Sequence, residues 1–77
     1  MPTILRWNGY KFFFFSDEED RPHVHVTKQN AQGKFWLAEV AHVKSQGFSQ
    51  KELNVLEKKI KEQQALLLGK WNEYFNA

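Results

Sequence analysis

Apolar and polar residues alternate over the first part of the chain and recur at three- and four-residue steps over the last, a pattern that predicts strands followed by a helix. Thr3 to Trp7 and Tyr10 to Phe15 flank Asn8-Gly9, the dipeptide best suited to a tight turn with positive backbone angles. That turn sets Trp7 opposite Tyr10, Arg6 opposite Lys11, Leu5 opposite Phe12 and Ile4 opposite Phe13. One face of the hairpin then carries Leu5, Trp7, Tyr10, Phe12 and Phe14. The other carries Arg6 and Lys11 near the turn, followed by Ile4, Phe13 and Phe15.

Pro22 introduces a second alternating run, His23, Val24, His25, Val26, Thr27, and suits a strand's first residue because it has no ladder hydrogen bond to donate. Val24 and Val26 point to one side, His23, His25 and Thr27 to the other, with the imidazoles about 6.6 Å apart along the strand. Asn30 to Gly33 is turn chemistry, and Lys34 to Leu37 reads as a strand with Phe35 and Leu37 inward and Lys34 and Trp36 outward. Ala38 to Gln46 fits either a short strand after a tight turn or one to two helical turns; the strand is the reading adopted.

Ser49 with Glu52 three residues on is a capping box, and Phe48 before it can staple onto Leu53, so a helix starts at Gln50. Leu53, Leu56, Ile60, Leu67, Trp71 and Phe75 form its buried stripe. The helix would be about 38 Å long, enough to cross a four- or five-stranded sheet. Gly69 interrupts it at modest cost, and Gln63 and Gln64 dilute the stripe, where the helix can bend. The expected fold is α+β: one domain over residues 1–77, with a small antiparallel sheet of four or five short strands in 1–46 and one long C-terminal helix in 49–76 packed on one face.

A chain of 77 residues buries a small core, so a partner or dimer contact would add stability. It has no cysteine, no run of about 18 apolar residues and no signal-peptide layout at its N-terminus, which predicts a soluble cytoplasmic protein without a membrane segment. Net charge is +2, shared evenly: six basic and five acidic residues precede Gln50, five and four follow it. A polybasic tail is excluded. The SDEED run at Ser16 to Asp20 reads as a solvated loop, or as carboxylates that raise a histidine pKa or complete a metal shell.

With one helix covering one face, the opposite face presents Ile4, Phe13, Phe15, Trp36, His23, His25, Arg6, Lys11 and Lys34. Aromatics grouped with cations suit a protein interface or single-stranded nucleic acid, whose bases stack on rings and whose phosphates meet cations. The same residues also suit a second small core or a homodimer contact. The candidate interface residues are Arg6, Lys11, Phe13, Phe15, Lys28 and Trp36. The histidine pair has three readings. His23 and His25 could act as base and acid in metal-independent RNA cleavage, with Arg21 or Lys28 stabilising phosphate charge; Arg21 shares the histidines' parity and Lys28 does not. They could instead hold Zn, with His42 or a carboxylate supplying further ligands. Otherwise they are structural, and no cofactor is required.

The segments MPTILR, NGY-x-FFFFS, PHVHV, KFWL, GFS-x-KEL and WNEYF resemble, from Met1 to Phe75, the small bacterial family called domain of unknown function 4160. The resemblance carries over motif positions Pro22, His23, Val24, His25, Val26, Phe35, Trp36, Leu37, Gly47, Phe48, Trp71 and Phe75, with no agreed catalytic residues. It implies a compact α+β domain encoded beside another small protein, a layout that has led such domains to be grouped with toxin-antitoxin components. Ala38-Glu39 departs from an Asp-Pro turn, and SDEED from a mixed Gly/Asn loop. The partners implied are a small protein from a neighbouring gene, RNA, or a second copy of the chain. Of these, a partner-binding module with an RNA-directed His-x-His face is the reading preferred.

Overall fold

The computed structural model describes residues 3–14 and 21–76. Phe15 and the Ser16 to Asp20 run, on which expectations above fall, lie outside the described residues. Among the described residues five strands, β1 (Thr3–Trp7), β2 (Tyr10–Phe13), β3 (His23–Lys28), β4 (Ala31–Trp36) and β5 (Ala41–Gln46), precede two helices, α1 (Gln50–Glu62) and α2 (Gln64–Asn76). Each strand pairs antiparallel with the next in the order β1-β2-β3-β4-β5, giving an α+β architecture.

Asn8 and Gly9 both take positive φ, 49° and 82°, as the tight hairpin requires. Trp7, Arg6 and Leu5 accordingly face Tyr10, Lys11 and Phe12. Beyond Leu5 the register slips at a bulge, and Thr3 rather than Ile4 stands opposite Phe13. Ile4, expected on the outer face, instead packs half-buried against the core. An unpaired bulge residue is released from strict alternation, and burying Ile4 removes apolar surface from water.

The turn expected over Asn30 to Gly33 is shorter. Lys28 pairs with Ala31, so Gln29 and Asn30 alone connect β3 to β4, with Gln29 at φ 54°. Gly33 therefore lies inside β4, opposite Val26. A Cβ there would meet ring carbons of Phe35 and Phe48 at 3.4 Å, so Phe48 packs closely over the strand at this glycine. Residues 41–46 form the strand preferred from sequence. The turn before them holds Val40 at φ 44°, unusual for a β-branched residue, with its side chain buried in the core.

Phe12, Val24, Val26, Phe35 and Leu37 meet Leu53, Leu56 and Ile60 of α1 and Leu67 and Trp71 of α2 in one apolar cluster. The predicted stripe is thus the buried one, but the single long helix is two. Gln63 leaves helical geometry at φ −104° and ψ 13°, and the break falls there rather than at Gly69, which remains helical. The side chain of the next residue explains the position: Gln64 Nε2 donates to the carbonyl oxygens of Leu37 and Ala38, both at 2.8 Å, tying α2 to the β4–β5 turn.

The capping box at α1 is formed in both directions. Glu52 N–H donates to Ser49 Oγ and Ser49 N–H to Glu52 Oε1, each at 3.1 Å. Tyr10 Oη also donates to Glu52 Oε2 at 3.2 Å. The Ser49 N–H bond first, then those from Tyr10 and the Ser49 hydroxyl and the nearby Lys28 charge, hold the Glu52 carboxyl below its ordinary pKa, against a smaller opposing effect of burial. Burial, and then Glu52, push the Tyr10 phenol up. A depressed carboxylate adds stability above its unfolded pKa and loses it as pH falls through the folded value. Glu52→Gln should therefore flatten the fall in stability below about pH 4.5, read as urea midpoints between neutral and acid pH. An unchanged acid limb would remove Glu52 from the pH dependence.

Candidate functional site

The face of the sheet turned away from α1 is ordered into rows, because residues directly opposite on paired strands project to the same side. One row runs Thr3, Phe13, His25, Lys34, Lys44 across all five strands. A second runs Arg6, Lys11, Thr27, Gln32, Gln46, and a third pairs His23, Trp36 and Ala41. Adjacent members of a row lie about 4.8 Å apart, and successive rows are separated by two residues, about 6.6 Å.

These rows floor an open concavity of about 410 Å³, lined among others by Phe13, His25, Thr27, Gln32, Lys34 and Lys44. Phe13 stacks on the His25 ring, with centroids 5.7 Å apart and planes 23° from parallel, and Lys11 Nζ lies 5.9 Å from the Phe13 centroid. Lys34 and Lys44 are direct cross-strand neighbours. Both lysines project to this face, giving it two cationic side chains on neighbouring strands.

The two histidines have different surroundings. His25 is half-buried at the edge of the concavity, whereas His23 is fully buried despite sharing its parity. The cause is α2: Trp71 reaches His23, ring centroids 5.0 Å apart, and Trp36 and His25 close round the imidazole at 5.9 and 5.2 Å. His23 Nδ1 lies 2.8 Å from the Arg21 carbonyl oxygen. A carbonyl only accepts, so Nδ1 carries the proton and the ring orientation is fixed. An acid-base pair working on a polymer needs both rings at the surface, and of these two only His25 reaches it.

Arg21 is exposed, its guanidinium 4.0 Å over the Trp36 ring and its Nη2 3.4 Å from Glu39 Oε2. Lys34 Nζ reaches the same ring at 5.1 Å. Trp36 therefore joins Arg21 and Lys34 to the histidines. Arg6 and Lys11 stand in the second row, near the turn. Lys28 does not belong to this face. β3 continues through Lys28, whose even-numbered parity with Val24 and Val26 turns it to the helix side, where its Nζ lies 4.6 Å over Tyr10. Phe15 lies outside the described residues.

His42, weighed as a further zinc ligand, is opposite Phe35 with rings 5.6 Å apart, and is bonded to Ser45 Oγ at 3.0 Å. It therefore sits on the helix side of the sheet. Among the described residues no group of three or more His, Asp or Glu side chains is placed to hold a metal ion. The site residues that sequence reasoning missed are Lys44, Gln32 and Gln46. Strict alternation from Ala41 would turn Lys44 inward, but a bulge between Lys34 and Phe35 reverses the parity of β5 and brings Lys44 beside Lys34. That bulge leaves no signal in a run of mixed residues. Gln32 was hidden by the turn assigned to Asn30 to Gly33.

Fold and site together define a small α+β domain whose sheet carries α1 on one face and a row of basic side chains on the other, where α2 covers His23 and Phe13, expected to be exposed, is buried. The chain belongs to the family called domain of unknown function 4160, whose sequence pattern matches residues 9–72. No curated protein and no solved structure matches it. No helix among the described residues is long and apolar enough to cross a membrane.

Proposed function

We propose that the protein is a small cytosolic partner-binding module, of the kind found in toxin-antitoxin pairs, whose outer sheet face takes the phosphate chain of RNA. The observation that carries this reading is the row Phe13, His25, Lys34, Lys44 along an open concavity, with Lys11 in the neighbouring row. Lysine ammonium groups and an imidazole offer donors to phosphate oxygens, and Thr27, Gln32 and Gln46 offer neutral hydrogen bonds beside them. An open groove suits a polymer better than a small ligand, which is normally enclosed. His23 serves this face by position: buried between Trp71, Trp36 and His25, it backs the ring that meets the ligand.

Binding of a fluorescein-labelled 12-nucleotide RNA, followed by anisotropy against salt, tests the reading. Each phosphate neutralised on a single strand contributes about −0.7 to the slope of log K on log salt, so three contacts give about −2. Lys44→Glu should weaken binding about tenfold or more and make the slope shallower by about 0.7. Salt-independent binding, or full affinity in Lys44→Glu, would remove the phosphate groove.

A further inference from the structure

The phosphate row ends beside a second device that phosphate binding does not use. Arg21 sits over Trp36, with 4.0 Å from its guanidinium carbon to the ring centroid, and its Nη2 lies 3.4 Å from Glu39 Oε2. An exposed ion pair of this kind, 48% and 75% exposed at its two side chains, adds little stability, so its effect is to orient the guanidinium. The Trp36 ring and the Glu39 carboxylate thus both contact the guanidinium. The Arg21 side chain is about half exposed, so part of the guanidinium is accessible to a ligand. Lys34 connects this platform to the groove, since its backbone stands in the phosphate row and its Nζ lies 5.1 Å from the Trp36 ring.

We infer that Arg21, seated on Trp36 and steered by Glu39, is a stacking subsite for one unpaired base, adjoining the groove that takes the phosphates, so that the ligand is single-stranded RNA. The inference rests on the RNA reading of the groove. A guanidinium plane is a recognised surface for an unstacked base, and a duplex, whose bases are already stacked, has none to place there. Arginine at such a position is not exchangeable with lysine, which keeps the charge and loses the plane. Arg21 also supplies its backbone carbonyl to His23, a bond that a side-chain substitution leaves in place.

The test compares the whole protein and Arg21→Lys on three labelled probes, an oligouridine 12-mer, an abasic ribose-phosphate 12-mer and an RNA duplex, with Lys44→Glu as the groove control and circular dichroism as the check on folding. Expected are tighter binding of oligouridine than of either other probe, and a loss of about fivefold or more in Arg21→Lys for oligouridine alone. Glu39→Gln, which releases the guanidinium edge, should shift the same probe in the same direction. Equal losses on oligouridine and the abasic strand would make Arg21 a phosphate contact and overturn the platform. So would no loss on either, while Lys44→Glu weakens both and the groove stands. If neither strand binds the unaltered protein and an acidic peptide does, the RNA reading falls and the platform with it.

Discussion

Trp71→Ala is expected to cost about 3–5 kcal/mol of folding stability, a larger loss than the capping or tethering positions can produce. Trp71 is almost fully buried, and its ring meets Phe14 edge-on at 5.2 Å, Phe75 at 4.1 Å and His23 at 5.0 Å. Removing it takes a large apolar area out of contact and leaves a space that two helices and a sheet cannot jointly close. His23 would lose the indole that seals it on the α2 side. Urea titration measures the loss, and Trp71→Phe, which keeps a ring in place, should fall well short of it. A cost below about 1 kcal/mol for Trp71→Ala would mean that α2 does not belong to the core in solution.

Gln64→Glu, nearly isosteric, should cost about 2 kcal/mol, more than Gln64→Leu at the same position. The Gln64 amide donates to two carbonyl oxygens at 2.8 Å, those of Leu37 and Ala38, and its half-buried side chain is what joins the start of α2 to the β4–β5 turn. A carboxylate has no hydrogen to give and would set negative charge against two acceptors. Leucine forfeits the same bonds without that repulsion. Thermal or urea unfolding separates the three proteins, and the order should compress at low pH, where a protonated carboxyl can donate to one carbonyl. Equal stability of Gln64→Glu and the unaltered chain would show that the tether contributes nothing.

The two positions bear on the site as well as on stability. Trp71 backs His23, which backs His25, while Gln64 holds the turn that carries Glu39, the partner of Arg21. Damage to either should therefore weaken binding at the outer face without touching a residue that meets the ligand.

Sequence by itself determined the elements whose causes are local. The Asn8-Gly9 turn needs two residues at positive φ and sets the first three pairs of the hairpin. The Ser49–Glu52 box starts α1 at Gln50, and alternation in HVHVT separates Val24 and Val26 from His23 and His25. The outer row of Phe13 and His25 followed from that parity. Tertiary structure decided everything that depends on a residue leaving its period or on what packs against it. Bulges at Thr3/Leu5 and Lys34/Phe35 moved Ile4 inward and Lys44 outward, since one extra residue reverses all later parity and its cost is offset only by contacts made elsewhere in the fold. The helix broke at Gln63, beside Gln64, whose carbonyl partners lie 26 and 27 residues away in sequence. His23 carries the same alternation as His25, yet it is buried because α2 brings Trp71 against it, a contact that no local pattern encodes.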